Sequence, residues 1–322
     1  MKKHSTQTLV DLLGVIVAVT KRTPRVLVVD RGDAIALPTG PFDPDAHARL
    51  EDGLRRLIET EAGLDLYYVE QLYSFGNRYR SRDEIAGGPR RISVAYVALT
   101  REDDLPRRGS RWADVYDFLP WEDWRDGRPD EIDSIIRPRL EAWTATAETE
   151  AAERYRSERI NVSFGQRGAH GMDGVLSLER LELLYDSGIL VEAGRDRRAV
   201  DGRRNAGKAA PVGVPMASDH RRVLATALGR IRGKLAYRPV VFELLPGEFT
   251  LLQLQRVAEA LGGAHLHKQN FRRLVMNANL VEPIGRTTAI GRGRPAELFR
   301  FRREVLGEKL TVGLSRPMLR DE

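Results

Sequence analysis

The sequence predicts an α/β sandwich followed by a helix-turn-helix with a β-hairpin wing. In the first half, short runs rich in β-branched residues alternate with one stretch of helical apolar spacing. Near the C-terminus, two helical stretches precede a Gly/Arg-rich turn between strand-like runs. A chain of 322 residues, 42% of them hydrophobic, is long enough to bury more than one core.

The first half contains strand-like runs at residues 9–20, 25–30, 34–38, 67–73 and 92–99. Apolar residues at helical spacing predict a helix over residues 46–62, and Gly63 is placed to end it. This mixture predicts an α/β domain over residues 1–143. All the tryptophans lie near its end, and we interpret them as a core or interface seam rather than a base-stacking pocket: Trp112, Trp121, Trp124 and Trp143.

The middle of the chain, residues 144–216, predicts a helical insertion and a linker. Residues 144–159 and 176–190 have helical composition and spacing. Residues 195–215 have few large apolar side chains and are typical of a mobile linker. The sequence indicates no function for this segment.

The last part, residues 217–322, predicts a DNA-binding domain. Helices are expected over residues 221–235, from the N-cap Thr250 to Gly262 and Gly263, and over residues 267–279. A strand around residues 280–281, a turn at 290–295 and a strand at 296–302 would form the wing.

The helix predicted over residues 267–279 has two chemically different faces. Phe271, Leu274, Val275 and Ala278 form an apolar stripe that should pack, whereas Gln269, Arg273 and Met276 project opposite. Gln, Asn and Arg suit adenine and guanine edges, although a surface helix of an ordinary domain would show the same stripe. The candidate DNA-binding residues, including two at the wing tip, are Lys268, Gln269, Asn270, Arg272, Arg273, Arg292 and Arg294.

Positive charge is concentrated in this region. The whole chain has a formal net charge of +6, but residues 265–303 contain nine Lys and Arg against two Glu, a net charge of +7. A local positive field of this kind attracts a phosphate backbone.

Other site types are disfavoured by composition. The chain has no cysteine, its six histidines show no metal-ligand spacing, and it has no apolar run long enough to span a membrane. We therefore expect a cytoplasmic protein with no metal site, no cofactor and no membrane contact.

Five segments carry a family resemblance: residues 69–99, 217–224, 237–254, 267–274 and 291–301, with Phe-Glu-Leu-Leu-Pro, Asn-Phe-Arg-Arg and Gly-Arg-Pro-Ala in order. They resemble the Nudix-related transcriptional regulators of bacterial NAD biosynthesis. The resemblance implies a Nudix α/β/α sandwich followed by a winged helix-turn-helix domain. It also implies a homodimeric repressor of operator DNA whose effector is ADP-ribose or a related nucleotide. Residues 126–212 depart from the family, where relatives have a short connection.

The Nudix box of this chain is degenerate. The family pattern Gly-x5-Glu-x7-Arg-Glu-U-x-Glu-Glu-x-Gly-U places metal-binding glutamates on a helix. Here Leu57 and Thr60 replace two of them, and Ala46 or Ala48 replaces the upstream one. Glu61 remains, and we expect it to be half-buried and hydrogen-bonded or paired with an arginine. The box residues are Gly40, Arg56, Leu57, Thr60, Glu61 and Gly63.

The function predicted from these observations is a nucleotide-sensing transcriptional regulator without enzymatic activity, because one carboxylate is too few for a hard divalent cation. Two alternatives stay open. The chain could be an active Nudix pyrophosphohydrolase with a DNA-binding appendage, or a regulator that responds to a sugar on the same scaffold. The sequence does not identify the effector, the operator or the sign of regulation.

Overall fold

The structure is a computed structural model that describes residues 8–32, 34–66, 68–77, 84, 87–102, 109–165, 174–201, 211–235, 240–288 and 295–302. Within these ranges no helix is both long enough and apolar enough to cross a membrane.

The first part of the described chain contains a mixed seven-stranded β-sheet. Its strands are β1 (Thr8–Thr20), β2 (Thr23–Arg31), β3 (Ala34–Ala36), β4 (Thr39–Pro41), β5 (Tyr68–Phe75), β6 (Arg90–Leu99) and β7 (Ser110–Asp114). The central strand, β1, pairs in parallel with β6 and antiparallel with β2 and β4. The strand order is β3-β2-β1-β6-β5, and β7 pairs with β2.

One face of the sheet is covered by helix α1 (Leu50–Ala62). Leu54 and Ile58 of α1 pack on Leu12 and Ile16 of β1, side chains that share a face because strand residues alternate. The helix begins later than predicted but ends as predicted, because Gly63 has a left-handed φ of +73° and donates its N–H to Glu59 O at 2.9 Å.

The other face of the sheet is covered by helices of the C-terminal part. Leu13 and Val17 of β1 share a core with Leu228 of helix α7 (His220–Leu235) and Leu261 of helix α8 (Leu251–Gly262). The sandwich is therefore completed by residues that lie more than 200 positions later in the chain. This core also runs across residues 143 and 216, so the domain boundaries at those positions stay a sequence prediction.

The interpretation of the tryptophans as core residues is confirmed, although they belong to two cores and not to one seam. Trp121 is fully buried in the core that covers this second face, and Trp124 and Trp143 pack against it partly buried. Trp112 packs against the core under α1. A short helix, α2 (Val115–Phe118), leads from β7 to the 3-10 turn that contains Trp121.

The middle segment is mostly helical. A π-helical turn at Ile132–Ile136 continues into α3 (Arg137–Ala145), and α4 (Glu150–Phe164), α5 (Gly174–Asp186) and α6 (Val191–Asp201) follow. The helix predicted over residues 144–159 is divided between α3 and α4, because the Thr149 side chain accepts a hydrogen bond from Ala152 N at 3.2 Å and begins a new helix there.

The prediction of a linker over residues 195–215 is wrong for the part that forms α6. Polar contacts hold this helix where an apolar stripe is lacking. The buried Glu192 pairs with Arg221 of α7 and accepts a hydrogen bond from Met216 N at 3.0 Å. Arg195 donates to Met216 O at 3.0 Å, and Met216 itself is buried in the core. Residues 202–210 lie outside the described residues.

The C-terminal part has the predicted helix-turn-helix and hairpin. Thr250 is the N-cap of α8 and forms a capping box with Gln253. A second helix, α9 (Lys268–Asn277), follows, and then a two-stranded hairpin of β8 (Val281–Thr288) and β9 (Ala296–Phe301). The backbones of Phe249 and Phe299 exchange hydrogen bonds of 2.9 and 2.8 Å, which join the hairpin to the start of α8.

The end of α8 makes a close backbone contact with the sandwich. Gly263 has a φ of +69°, and a Cβ atom added there would lie 2.2 Å from the carbonyl oxygen of Glu122. Trp124 N also donates a hydrogen bond to Gly263 O at 2.6 Å. Only glycine fits both the backbone conformation and the space.

This contact predicts a strong effect of Gly263→Ala on stability. Gly32 provides the matched control, since its φ is +66° and an added Cβ would meet nothing within 4 Å. We expect Gly32→Ala to lower the free energy of unfolding by about 1 kcal/mol, the cost of the left-handed conformation. Gly263→Ala should lower it by roughly 2 kcal/mol more, because a backbone clash is added. Urea denaturation measures both, and equal values would contradict the contact.

Candidate functional site

Helix α9 is held by the apolar stripe that the sequence predicts. Phe271 and Val275 are fully buried, and Leu274 and Ala278 are partly buried. His267 begins the helix, and its ring Nδ1 accepts a hydrogen bond from Asn270 N at 3.4 Å. The stripe fixes which side of α9 faces solvent.

The opposite side of α9 is exposed. Lys268, Gln269 and Arg273 are exposed, whereas Asn270 and Arg272 are partly buried. Arg273 Nη2 donates a hydrogen bond to Asn270 Oδ1 at 3.0 Å, one helical turn back along the same side. These side chains have the donors and acceptors that base edges require in the major groove. Their contact with DNA stays a prediction.

The wing follows α9 in the chain and is joined to the start of α8, but its tip is outside the described residues, and so are Arg292 and Arg294. The strands of the wing change register between Pro283 and Thr287. Two arginines on the hairpin have acidic partners: Arg286 pairs with Glu248 and Arg300 pairs with Glu282. These pairs partly neutralise the basic run before any anion is bound.

Arg256 of helix α8 is a further candidate DNA-binding residue that was not among the candidates predicted from the sequence. Arg256 is exposed between the buried Gln255 and Val257. The first helix of a helix-turn-helix crosses the phosphate backbone, where a cation of this kind is useful. A charged residue that interrupts an apolar helix pattern was the available signal.

The degenerate box combines Gly40 of β4, which pairs with the central strand β1, with residues of the second half of α1 and its C-cap Gly63. Leu57 covers Gly40 so closely that a Cβ atom at Gly40 would lie 2.9 Å from Leu57 Cδ1. Thr60 is exposed, and Arg56 pairs with Glu59 at 2.9 Å on the solvent side.

Glu61 is partly buried and paired with an arginine, as predicted. Its Oε1 accepts a hydrogen bond from Arg31 at the end of β2, and its Oε2 is buried without a hydrogen-bond partner. The side chain of Arg31 is 50% exposed and that of Glu61 is 19% exposed. A guanidinium therefore supplies the positive charge beside the one remaining carboxylate.

A divalent metal ion does not fit this donor set. Mg²⁺ requires several oxygen ligands in octahedral geometry, and here Leu57 is apolar and Glu61 is bound to Arg31. Within the described ranges, no group of three or more His, Asp or Glu side chains could hold a metal ion.

Comparison with known proteins links these features to characterised folds. Residues 241–301 match the family model of the NrtR DNA-binding winged helix domain. The "ADPR responsive transcriptional repressor NtrR" of Acinetobacter baylyi is 36% identical over 88 residues, which are 27% of this chain and 35% of that protein. The alignment thus spans about a third of that relative.

The solved structures that align over 92% of the chain include those of two different proteins. The crystal structure of Shewanella oneidensis NrtR complexed with a 27mer DNA has a TM-score of 0.54 and 18% identity, with 95% of that chain covered. The MutT/nudix family protein of Enterococcus faecalis has a TM-score of 0.51 and 15% identity, with 87% of that chain covered. The fold is therefore a Nudix sandwich with a winged helix. We call the exposed side of α9 the candidate recognition face of this winged helix; the degenerate box lies in the Nudix sandwich.

We predict that Arg273 on α9 and Arg256 on α8 contribute differently to DNA binding, the first by contact with a base and the second by contact with phosphate. If Arg273 contacts a base edge, Arg273→Ala should weaken binding to the preferred duplex by about 1–3 kcal/mol and relax preference at one base pair. Arg256→Ala should instead weaken binding to preferred and scrambled duplexes equally, with a shallower salt dependence. Fluorescence anisotropy across a salt series measures both. An equal loss on both duplexes for Arg273→Ala would show that the face is wrongly assigned.

Proposed function

We propose that this chain is a DNA-binding transcriptional repressor whose Nudix sandwich senses ADP-ribose or a related NAD-derived nucleotide. The observation that carries the proposal is the exposed Gln269 and Arg273 on a helix held by Phe271 and Val275, within residues that match a DNA-binding winged helix model. The name of the Acinetobacter relative, an ADPR-responsive repressor, supports the effector class.

The proposal includes the loss of Nudix hydrolysis. Hydrolysis of a pyrophosphate needs metal to offset phosphate charge and to activate water. The pairing of Glu61 with Arg31 and the apolar Leu57 over Gly40 support a site that binds without turnover. The proposal implies a cytoplasmic protein, because the bacterial chromosome lies there.

We predict no hydrolysis of ADP-ribose or of NAD-related dinucleotides with Mg²⁺ or Mn²⁺. The measurement is product formation by chromatography, with an active Nudix hydrolase as the positive control. Turnover at about 1 per second or more would contradict this prediction and favour the hydrolase alternative.

We also predict a homodimer that selects a palindromic duplex. Two-fold proteins match two-fold sites, with half-sites about one helical turn or a multiple apart. Selection from a random duplex library, followed by light scattering of the complex, tests both features. A monomer bound to a non-palindromic site at physiological salt would refute the dimer proposal.

The effector is tested on the selected duplex. ADP-ribose should change the dissociation constant by about fivefold or more, the usual lower range of allosteric coupling. Ribose 5-phosphate and a neutral pentose are the comparison ligands. A response to the sugars without a response to ADP-ribose would replace the nucleotide effector with a sugar.

A further inference from the structure

A fully buried carboxylate, that of Glu122, lies just after the sheet of the Nudix sandwich. Helix α7 supplies one of its partners, Arg232, which is also fully buried. A charge inside a protein is stable only when it is paired and hydrogen-bonded. The position of Glu122 is therefore coupled to that of Arg232.

The guanidinium of Arg232 also binds the end of α8. Its Nε donates to Leu261 O at 3.1 Å, and its Nη2 donates to the carbonyl oxygen of Glu122 at 2.9 Å. Tyr116 OH donates to Ala260 O at 2.7 Å, and burial raises the pKa of this phenol to about 12, so it stays a donor. The last carbonyls of a helix have no partner within the helix. Here the sandwich and α7 supply those partners.

The turn after α8 connects this helix end to α9 and is itself held by hydrogen bonds. Glu259 near the end of α8 accepts hydrogen bonds on Oε1 from Leu266 N at 3.0 Å and from Gln255 Nε2 at 2.9 Å. Glu259 and Gln255 are both buried. The first residue of α9, Lys268, follows Leu266 by two positions. The orientation of the candidate recognition face on α9 therefore depends on the position of the end of α8.

Helix α5 also contacts the carboxylate of Glu122. It lies within residues 126–212, the segment that departs from the family pattern, and we call the helices of this segment the inserted helices. Arg180 of α5 donates from Nη1 to both carboxylate oxygens of Glu122 at 3.1 Å, and it donates from Nε to Ser163 O of α4 at 2.8 Å. Ser177 of α5 accepts a hydrogen bond from Arg232 Nη1 at 3.0 Å. The inserted helices thus contact both members of the Glu122–Arg232 pair.

We propose that Arg180, on an inserted helix, is a positioning residue for DNA recognition, which acts through Glu122 and Arg232 on the end of α8 and hence on α9. This role rests on the proposed DNA-binding function and assigns a task to the inserted helices. Sequence-specific binding requires the recognition face in one orientation, whereas binding to random DNA depends on phosphate contacts that tolerate several orientations.

The test is Arg180→Met, measured on the duplex selected by the wild-type protein and on a scrambled duplex. Loss of Arg180 leaves Glu122 paired with Arg232, so no buried carboxylate loses its last partner. We expect the affinity for the selected duplex to fall fivefold or more relative to wild type, with less than a twofold change on the scrambled duplex. Arg159→Met is the matched control, because Arg159 on α4 pairs with Asp186 at 2.8 Å and not with Glu122. It should leave both affinities unchanged.

A second variant, Tyr116→Phe, tests the proposal if Arg180→Met does not fold. Tyr116→Phe removes the hydrogen bond to Ala260 O and keeps the ring, and Tyr185→Phe is its control, because Tyr185 OH donates to Asp196 at 2.9 Å within the inserted segment. If Arg180→Met folds, a wild-type affinity ratio or an equal loss on both duplexes overturns the proposal. If it does not fold, a wild-type ratio in Tyr116→Phe overturns it. If the wild-type protein itself selects no sequence, the proposed function fails first, and this inference fails with it.

Discussion

The buried ion pairs of Glu122 are the interactions on which the assembly of this chain depends. Glu122 pairs with Arg180 from α5 and with Arg232 from α7, and all three side chains are fully buried. Removal of the Glu122 carboxylate would leave two buried guanidinium groups without this acidic partner, which costs several kcal/mol. The Nudix sandwich, the helices of the middle segment and the winged helix therefore share one core, although they occupy successive stretches of the sequence.

Helix α7 contacts both the segment just before the degenerate box and the end of α8. At its start, the ring Nδ1 of His220 accepts a hydrogen bond at 2.9 Å from the N–H of Leu37, three residues before Gly40. Near its end, Arg232 binds Leu261 O of α8. His220 and Arg232 are twelve positions apart on the helix, a distance of about 18 Å. The segment before the box and the end of α8 thus contact opposite ends of α7.

Local patterns were sufficient for much of the candidate site. The stripe of Phe271 and Val275 predicted the buried side of α9 and therefore its exposed side, because helical periodicity depends only on neighbouring residues. Thr250 predicted the start of α8 for the same reason. The pairing of Glu61 with an arginine followed from one carboxylate on an apolar face, but the pattern did not name Arg31, which is 30 positions away.

By itself the sequence determined the elements with strong periodicity and the basic character of the C-terminal part, and the degenerate box was predicted only through the family resemblance. Only the tertiary structure decided that α6 is a helix, that β7 pairs with β2, and that the C-terminal helices cover the second face of the sheet. The physical reason is distance along the chain. Glu122 meets Arg180 and Arg232 across 58 and 110 positions, and ion pairs at such separations leave no periodic signal in the residues around them.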